Sequence, residues 1–366
     1  MHPPILYQIA LTLIPGIGPV RAKSLLSYCG SAESIFREKK SILTKIPEIG
    51  SQTAGLFTNK EIFNRAEREI KFIENNGILP IFFTDIHFPD RLKDCEDTPI
   101  LLYTKGKMDL NAPRIISIVG TRTATSYGKQ FCAELINGIR QYSPIVVSGL
   151  AYGIDICAHR NALTNGLTTV ACVAHGLDKI YPALHASVAV EMMKNGGLVS
   201  EFPSVTRMTP ELFPMRNRII AGLADCTIVL ETDEKGGSMI TAHLANSYGR
   251  EVFALPGRYN DNHSSGCNLL IKKNLGAIIT SPADLADYMN WNRQTLQDSK
   301  QLQIFQDLTA IEASIVNEIK KSGKVMIDEL SISTGLGFSE LSSHLLSLEF
   351  KGVIRSQPGK VYEIFE

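Results

Sequence analysis

Ile115-Ile116-Ser117-Ile118-Val119-Gly120-Thr121-Arg122 decides the fold. An apolar, largely β-branched run ends in a glycine turn that carries an arginine. A run of this kind is what a strand buried on both faces of a parallel sheet requires. The arrangement recurs at Val147-Ser148-Gly149-Leu150-Ala151-Tyr152-Gly153-Ile154-Asp155, another strand followed by a glycine-rich turn. A third segment, Phe213-Pro214-Met215-Arg216-Asn217-Arg218-Ile219-Ile220-Ala221-Gly222-Leu223, stands just before the apolar run Cys226 to Leu230. Turns that follow parallel strands open onto the carboxyl edge of the sheet, where ligands of open α/β folds bind. Glycines there let backbone N–H groups approach an anion, and arginines neutralise it. The pattern predicts a phosphate-reading crevice.

Outward from these segments, residues 76–290 alternate strand and helix patterns. Strands are predicted at 78–83, 115–119, 145–148, 168–174, 197–200, 226–231, 251–255 and 277–280. Helical patterns fill several of the gaps, for example 127–141, 155–165, 183–195 and 238–248. This alternation defines an α/β fold with a doubly wound, mostly parallel Rossmann-like sheet.

The flanks differ. In residues 1–75, Leu13-Ile14-Pro15-Gly16-Ile17-Gly18-Pro19-Val20 and Leu43-Thr44-Lys45-Ile46-Pro47-Glu48-Ile49-Gly50 repeat one unit: apolar residue, Pro, one residue, apolar residue, Gly and then a helix. The second copy is degenerate, with Glu48 where the first has Gly16. The unit resembles a tandem helix-hairpin-helix, whose turns offer backbone N–H groups to a DNA phosphate without reading bases. Residues 291–307, polar and rich in Gln and Asp, read as a linker. Residues 308–366 show three helical stretches, Ala310 to Lys321, Met326 to Thr334 and Phe338 to Phe350, then a hairpin turning at Gln357-Pro358-Gly359. They look like a winged helix. Its six Lys and Arg against eight Asp and Glu, with almost no cation on the third helix, favour a protein contact at least as much as DNA.

Composition bounds the function. The 37 Lys and Arg balance 37 Asp and Glu, so any nucleic-acid affinity must come from one concentrated groove. No apolar stretch approaches membrane-spanning length, and Met1 to Ala10 lacks a signal-peptide layout, so no membrane partner is expected. The seven cysteines include no CxxC pair and are expected to be reduced core thiols of a cytoplasmic protein.

The candidate site gathers three turns. Gly120, Thr121 and Arg122 precede a helix beginning near Ser126, a position suited to an anion. Ser148 and Gly149 end the next strand, and Asp155 is expected to cap the helix after it. Arg216, Asn217 and Arg218 form the densest donor cluster. Arg216 and Arg218 stand two apart, so on a helix they would face different ways, whereas in an extended entry segment they share a side. One is expected to contact a phosphate and the other to hold the scaffold by pairing with Glu201 or Glu231, and the sequence leaves open which does which. Phe213, just upstream, is a candidate for stacking on a base. Gly236, Gly237 and Ser238, with Thr241 one turn on and Lys235 beside them, repeat the anion-binding turn. Pro256-Gly257-Arg258 adds an edge cation. His175, His185 and His243 have no evident partners in the sequence.

Several chemistries are absent from the sequence. There is no GxxxxGK[ST] loop, no GxGxxG after the first strand, and no HExxH or paired CxxC, so no cofactor or metal is expected. A nucleotide-processing enzyme of the phosphoribohydrolase type is the competing reading. Such enzymes carry Pro-Gly-Gly-x-Gly-Thr and then a catalytic Glu. Here Lys235-Gly236-Gly237-Ser238-Met239-Ile240-Thr241 runs into Ala242 and His243, with no Glu in reach.

Taken together, these blocks resemble the DNA-processing protein A (DprA/Smf) family over nearly the whole chain. The resemblance rests on His87-Phe88-Pro89 through Gly106, Val119 to Arg122, Ser148 to Asp155, Tyr181-Pro182, Phe213 to Leu223 and Pro256-Gly257, in that order. One departure is Ala183-Leu184-His185, which replaces the family's common Asn-containing turn after Tyr-Pro. The resemblance implies a non-enzymatic protein that binds and protects incoming single-stranded DNA in natural transformation, helps load the RecA recombinase, and works as a homodimer. It also implies that Arg122 contacts the DNA backbone beside Gly120, Ser148 and Gly149, with Phe213 and Arg216 to Arg218 lining the same groove.

Overall fold

A computed structural model describes residues 3–292, 308–351, 353–357 and 360–364. They belong to two compact units that divide between Trp291 and Asn292.

The first unit is built on a nine-stranded sheet. Its strands are β1 (Leu79–Phe82), β2 (Leu101–Lys107), β3 (Ile115–Val119), β4 (Ile145–Ser148), β5 (Thr169–Cys172), β6 (Gly196–Ser200), β7 (Cys226–Val229), β8 (Glu251–Ala254) and β9 (Ala277–Ile278). They lie in the order β1-β2-β6-β5-β4-β3-β7-β8-β9. The run from β6 to β9 is parallel; β2 pairs antiparallel with both β1 and β6. The chain therefore starts the parallel sheet at β3, winds outward through β4, β5 and β6, and returns to add β7 on the other side of β3. The space beyond the carboxyl ends of β3 and β7 is the topological switch point, where helices leave for opposite faces and a crevice opens.

Alternation along β3 sorts its side chains between two cores. Ile115 and Val119 join Val147, Val229 and Val252 beneath the helices Leu212–Leu223, Gly237–Ser247 and Asn262–Lys272. Ile116 and Ile118 join Val146, Ile228 and Phe253 beneath Ser126–Ile139, Ile154–Thr164 and Pro282–Tyr288.

Six helices, from Pro4–Thr12 to Lys60–Asn75, precede the sheet. Their core of Leu6, Ile9, Leu25, Ile35 and Phe57 runs without a break into Phe82, Leu101, Tyr103 and Leu198 at the antiparallel end of the sheet. Glu69, buried in the last of these helices, accepts hydrogen bonds from Ser204 N at 2.8 Å and Ser204 Oγ at 2.5 Å, and pairs with Arg65 at 2.8 Å. These bonds tie the helical segment to the loop after β6.

Two expectations from the sequence need correction, and two gaps it left open are filled. The stretch Leu101–Lys107 is a strand, β2, that the alternating pattern had left out. Residues 262–272 and 282–288 are helices. The linker does not begin at residue 291: Trp291 is buried in the core with Leu285 and Ile279 and packs on Tyr142 with ring centroids 5.3 Å apart. The rest of that expected linker, 293–307, lies outside the described residues, as does the hairpin turn at 358–359.

The second unit has the helices Ala310–Ser322, Ile327–Thr334 and Phe338–Phe350 and a three-stranded sheet, β10 (Lys324–Met326), β11 (Ile354–Gln357) and β12 (Val361–Ile364), in the order β10-β12-β11. Ile315, Ile319, Leu330, Leu341, Leu345 and Leu348 form its core. Glu312 completes a capping box with Thr309 and receives Lys351 Nζ and Ser347 Oγ, each at 2.8 Å. These bonds, Lys351 first, hold its carboxyl down at about 2.

Candidate functional site

A cleft of about 370 Å³ opens at the switch point. One wall is the turn after β3, with Gly120, Thr121 and Arg122. A second is the amino-terminal half of the helix Leu212–Leu223, with Phe213, Arg216 and Asn217. The third is the start of the helix Gly237–Ser247, with Gly236, Gly237, Ser238 and Thr241. Most of the residues expected from the sequence to contact a ligand line this one cleft.

The turn after β3 is held from several sides. Thr121 N donates to the Glu231 carbonyl at 2.6 Å. The Glu231 carboxylate reaches across from the end of β7 to accept from Thr125 N at 2.8 Å and Thr125 Oγ1 at 2.5 Å. Thr125 is the N-cap of the helix Ser126–Ile139, so an acid from the neighbouring strand satisfies that helix start. Gly153 closes the turn from below with φ at 76°, and a Cβ there would strike the Thr121 carbonyl and the Arg122 backbone. Gly153→Ala is therefore expected to lower stability by at least about 1–2 kcal/mol and to displace the Arg122 turn. Thermal unfolding checks this; an alanine variant as stable as the parent would show that the turn yields freely.

Arg122 is exposed, and its guanidinium lies over the Phe213 ring at 5.6 Å. Phe213 also meets the edge of Tyr181 at 6.4 Å between centroids. A cation resting on a half-buried ring presents both a phosphate ligand and a stacking surface at one rim. On the opposite wall, the start of the helix Gly237–Ser247 lines the cleft with Gly237 and Ser238, and the buried Ser238 Oγ has no hydrogen-bond partner among the described residues.

Arg216 lines the floor but is engaged by the scaffold. Its Nη1 donates to the carbonyls of Gly149 at 2.6 Å and Cys172 at 2.5 Å, at the ends of β4 and β5. Gly149 is needed for this approach, because a Cβ there would meet the guanidinium and Asp155. Asp155 is fully enclosed: burial raises its carboxyl above the ordinary range, and the Arg216 charge opposes that. Asn217 bridges Arg216 Nε, at 3.2 Å, to the Gly237 carbonyl, at 3.4 Å.

The structure revises several sequence expectations here. Arg216, Asn217 and Arg218 lie inside the helix Leu212–Leu223, not in an extended segment, so the two arginines diverge. Arg218 is outside the cleft. It is buried against Glu201 and the Asp97 carbonyl and holds the scaffold, while Glu231 caps a helix instead of pairing with an arginine. Ser148 is also outside; its hydroxyl is buried and donates to the Ile118 carbonyl at 2.6 Å. Gly149 serves the floor through its carbonyl without lining the cleft, and Lys235 is exposed beyond the lining residues. Asp155 is not a cap. Gly153 is the N-cap residue, and Asp155 sits in the first turn, accepting from Ala151 N at 3.3 Å.

Three features of the site escaped sequence reasoning. Thr232 and Asp233 extend the third wall. His185 Nδ1 lies 2.7 Å from the Leu150 carbonyl and its ring meets Tyr152, bracing the glycine-rich turn. His175 Nε2 accepts from Tyr181 N at 3.2 Å, which positions the tyrosine beside Phe213. The partners of both histidines stand at sequence distances that no local pattern marks.

Fold and site together define an open α/β protein with a cleft at its switch point, bounded by an arginine on an aromatic ring and by a helix start. The family model for DNA recombination-mediator protein A matches residues 80–290, and models for the DprA winged helix domain and a SAM-like helix-hairpin-helix tandem match 305–360 and 9–56. The chain belongs to the DNA recombination-mediator protein A family, the DprA/Smf proteins. DNA processing protein DprA of Bacillus subtilis is 39% identical over 220 residues, 60% of this chain and 74% of that protein. Protein Smf of Escherichia coli is 32% identical over 282 residues, 74% of each chain. DNA processing protein A of Streptococcus pneumoniae superposes with a TM-score of 0.63 at 29% identity, covering 77% of this chain and 97% of that one. The Helicobacter pylori protein, for which a single-stranded DNA binding mode is described, superposes at 0.54 with 31% identity, covering 59% and 96%.

Proposed function

We propose that this protein binds single-stranded DNA without cleaving it and acts as a recombination mediator, protecting incoming strands and helping to load the RecA recombinase. Its working form in this reading is a cytoplasmic homodimer. The observation that carries the reading is Arg122 held over Phe213 at the rim of the switch-point cleft, facing the start of the helix Gly237–Ser247. A phosphate between the arginine and the helix start leaves its base against the phenylalanine. Nothing in this pairing distinguishes one base from another, so recognition is through backbone and stacking. The single-stranded DNA binding described for the Helicobacter pylori relative supports the same reading. Among the described residues no helix is long and apolar enough to cross a membrane, which suits a partner in solution.

Hydrolysis is disfavoured by what occupies the cleft. Asp155 is committed to Arg216 and Ala151 N, and Asp233 Oδ1 accepts from Lys235 N at 2.8 Å. No Glu follows the Gly-Gly-Ser turn, where phosphoribohydrolases of this type carry their catalytic acid.

Fluorescence anisotropy with a labelled single-stranded oligonucleotide, duplex competitor and a salt series tests the proposal. Affinity is expected to fall with salt at a log–log slope of about −0.7 per neutralised phosphate, with single strands preferred. Salt-insensitive binding, or none, would sink the reading and move nucleotide-hydrolysis assays to the front.

A further inference from the structure

The helices Ser126–Ile139 and Ile154–Thr164 pack side by side on one face of the sheet, and each carries a cysteine at their contact. Cys132 is fully buried between them; Cys157 is half-buried and reaches solvent. Cys157 packs against the cluster that holds Cys132, and the two thiols adjoin across the helix contact. Cys157 Sγ also accepts from Asn161 Nδ2 at 3.3 Å and lies 3.8 Å from the carbonyl oxygen of Lys129, one turn before Cys132. Lys129 and Arg160, both exposed, add positive charge around it.

Nothing in the DNA-binding reading uses this cluster. We propose that Cys157 and Cys132 form a hydroperoxide-reactive thiol pair, with Cys157 the attacking sulfur and Cys132 the resolving one, closing a disulfide between the two helices. The environment is asymmetric in the required way. The neighbouring Cys132, with smaller help from Asn161, Lys129 and Arg160, holds the Cys157 thiol below its ordinary range against its burial. The same contact and burial push Cys132 up. Burial also pushes up each of the other five cysteines, Cys29, Cys95, Cys172, Cys226 and Cys267. Cys157 is thus the one thiol that combines access with a stabilised thiolate, the form that attacks.

The chemistry balances with a hydroperoxide as oxidant. Cys157 thiolate attacks the terminal peroxide oxygen, the O–O bond breaks, and the departing alkoxide or hydroxide takes a proton. Sulfur is oxidised by two electrons to sulfenic acid and the peroxide is reduced to alcohol or water. The Cys132 sulfur then attacks the sulfenic sulfur, the S–O bond breaks, and hydroxide leaves with the Cys132 proton as water. The bond formed joins the two helices whose first turns carry the Thr121–Thr125 and Gly149–Gly153 loops of the cleft.

The test uses the full-length reduced protein, freed of thiol reductant and treated with hydrogen peroxide, followed by intact mass and peptide mapping. The expected product has lost two hydrogens and maps to a Cys132–Cys157 link, with a rate that rises with pH as the Cys157 thiolate forms. Cys157→Ser should slow oxidation by at least about ten-fold. Cys132→Ser should react at Cys157 but stop at a sulfenic acid that dimedone traps. In the unmodified protein, brief alkylation near neutral pH should mark Cys157 before any other cysteine, which requires no variant to fold. Oxidation of Cys157→Ser at the parent's rate, first marking of the half-buried Cys29, or oxidation of Cys157 that never engages Cys132 would each overturn the proposal.

Discussion

Arg218→Met is expected to cost about 3–5 kcal/mol of folding stability at alkaline pH while leaving single-strand affinity unchanged in the molecules that fold. Arg218 is buried against Glu201, itself almost fully enclosed, and also donates to the Asp97 carbonyl. Removing the cation strands a carboxylate away from water. Burial already pushes the Glu201 carboxyl up to about 7, with Arg218 pulling it down, so losing Arg218 raises it further. A carboxyl raised above its unfolded value near 4.5 binds its proton more tightly in the folded state. Stability then falls as pH rises through the interval between the two values. The variant should be least stable above pH 7 and recover as the pH drops toward 5, more steeply than the parent. Urea unfolding at several pH values reads this directly, and adding Glu201→Gln should return much of the loss by removing the stranded charge. A variant within about 1 kcal/mol of the parent at all pH values would mean that water reaches Glu201.

Arg122→Ala is expected to weaken single-strand binding by about 1–3 kcal/mol with no loss of stability, since the side chain is exposed and supports no core. Phe213→Ala should fall in the same range, the scale of one stacked base. Because the guanidinium rests on the ring at 5.6 Å, the two losses should not add: each substitution removes part of what the other contributes. A double-mutant cycle by anisotropy measures the coupling. Additive losses would place the two side chains on separate parts of the strand, and unchanged binding with Arg122→Ala would remove it from the site.

The parallel core was legible because strands buried on both faces cannot be written in polar residues. Ile115–Val119, Ile145–Ser148 and Cys226–Val229 announce themselves for that reason. β2 was not legible as a strand, because after Leu101, Leu102 and Tyr103 it turns to Thr104-Lys105-Gly106-Lys107 at its exposed end. The helix Asn262–Lys272 opens with Asn, His, Ser, Ser and Gly, residues of poor helix propensity, and forms because Cys267 and Leu270 find the sheet. The turns of the cleft were readable from glycines next to strand ends. The division of labour between the arginines was not, because it depends on partners far along the chain: Glu201 for Arg218, and the carbonyls of Gly149 and Cys172 for Arg216.

Glu231 fastens both the backbone and the cap of the Arg122 turn to the neighbouring strand, so the mouth of the cleft has a fixed width before anything enters it. A receptor set in advance loses little freedom on binding, and the entropy of ordering falls on the incoming strand. Flexible strands should therefore arrive quickly and pay in enthalpy–entropy balance for being straightened, while strands already stiffened by stacking should dwell longer. In the proposed single-strand reading, residence time, more than encounter rate, is then the quantity expected to separate one strand from another.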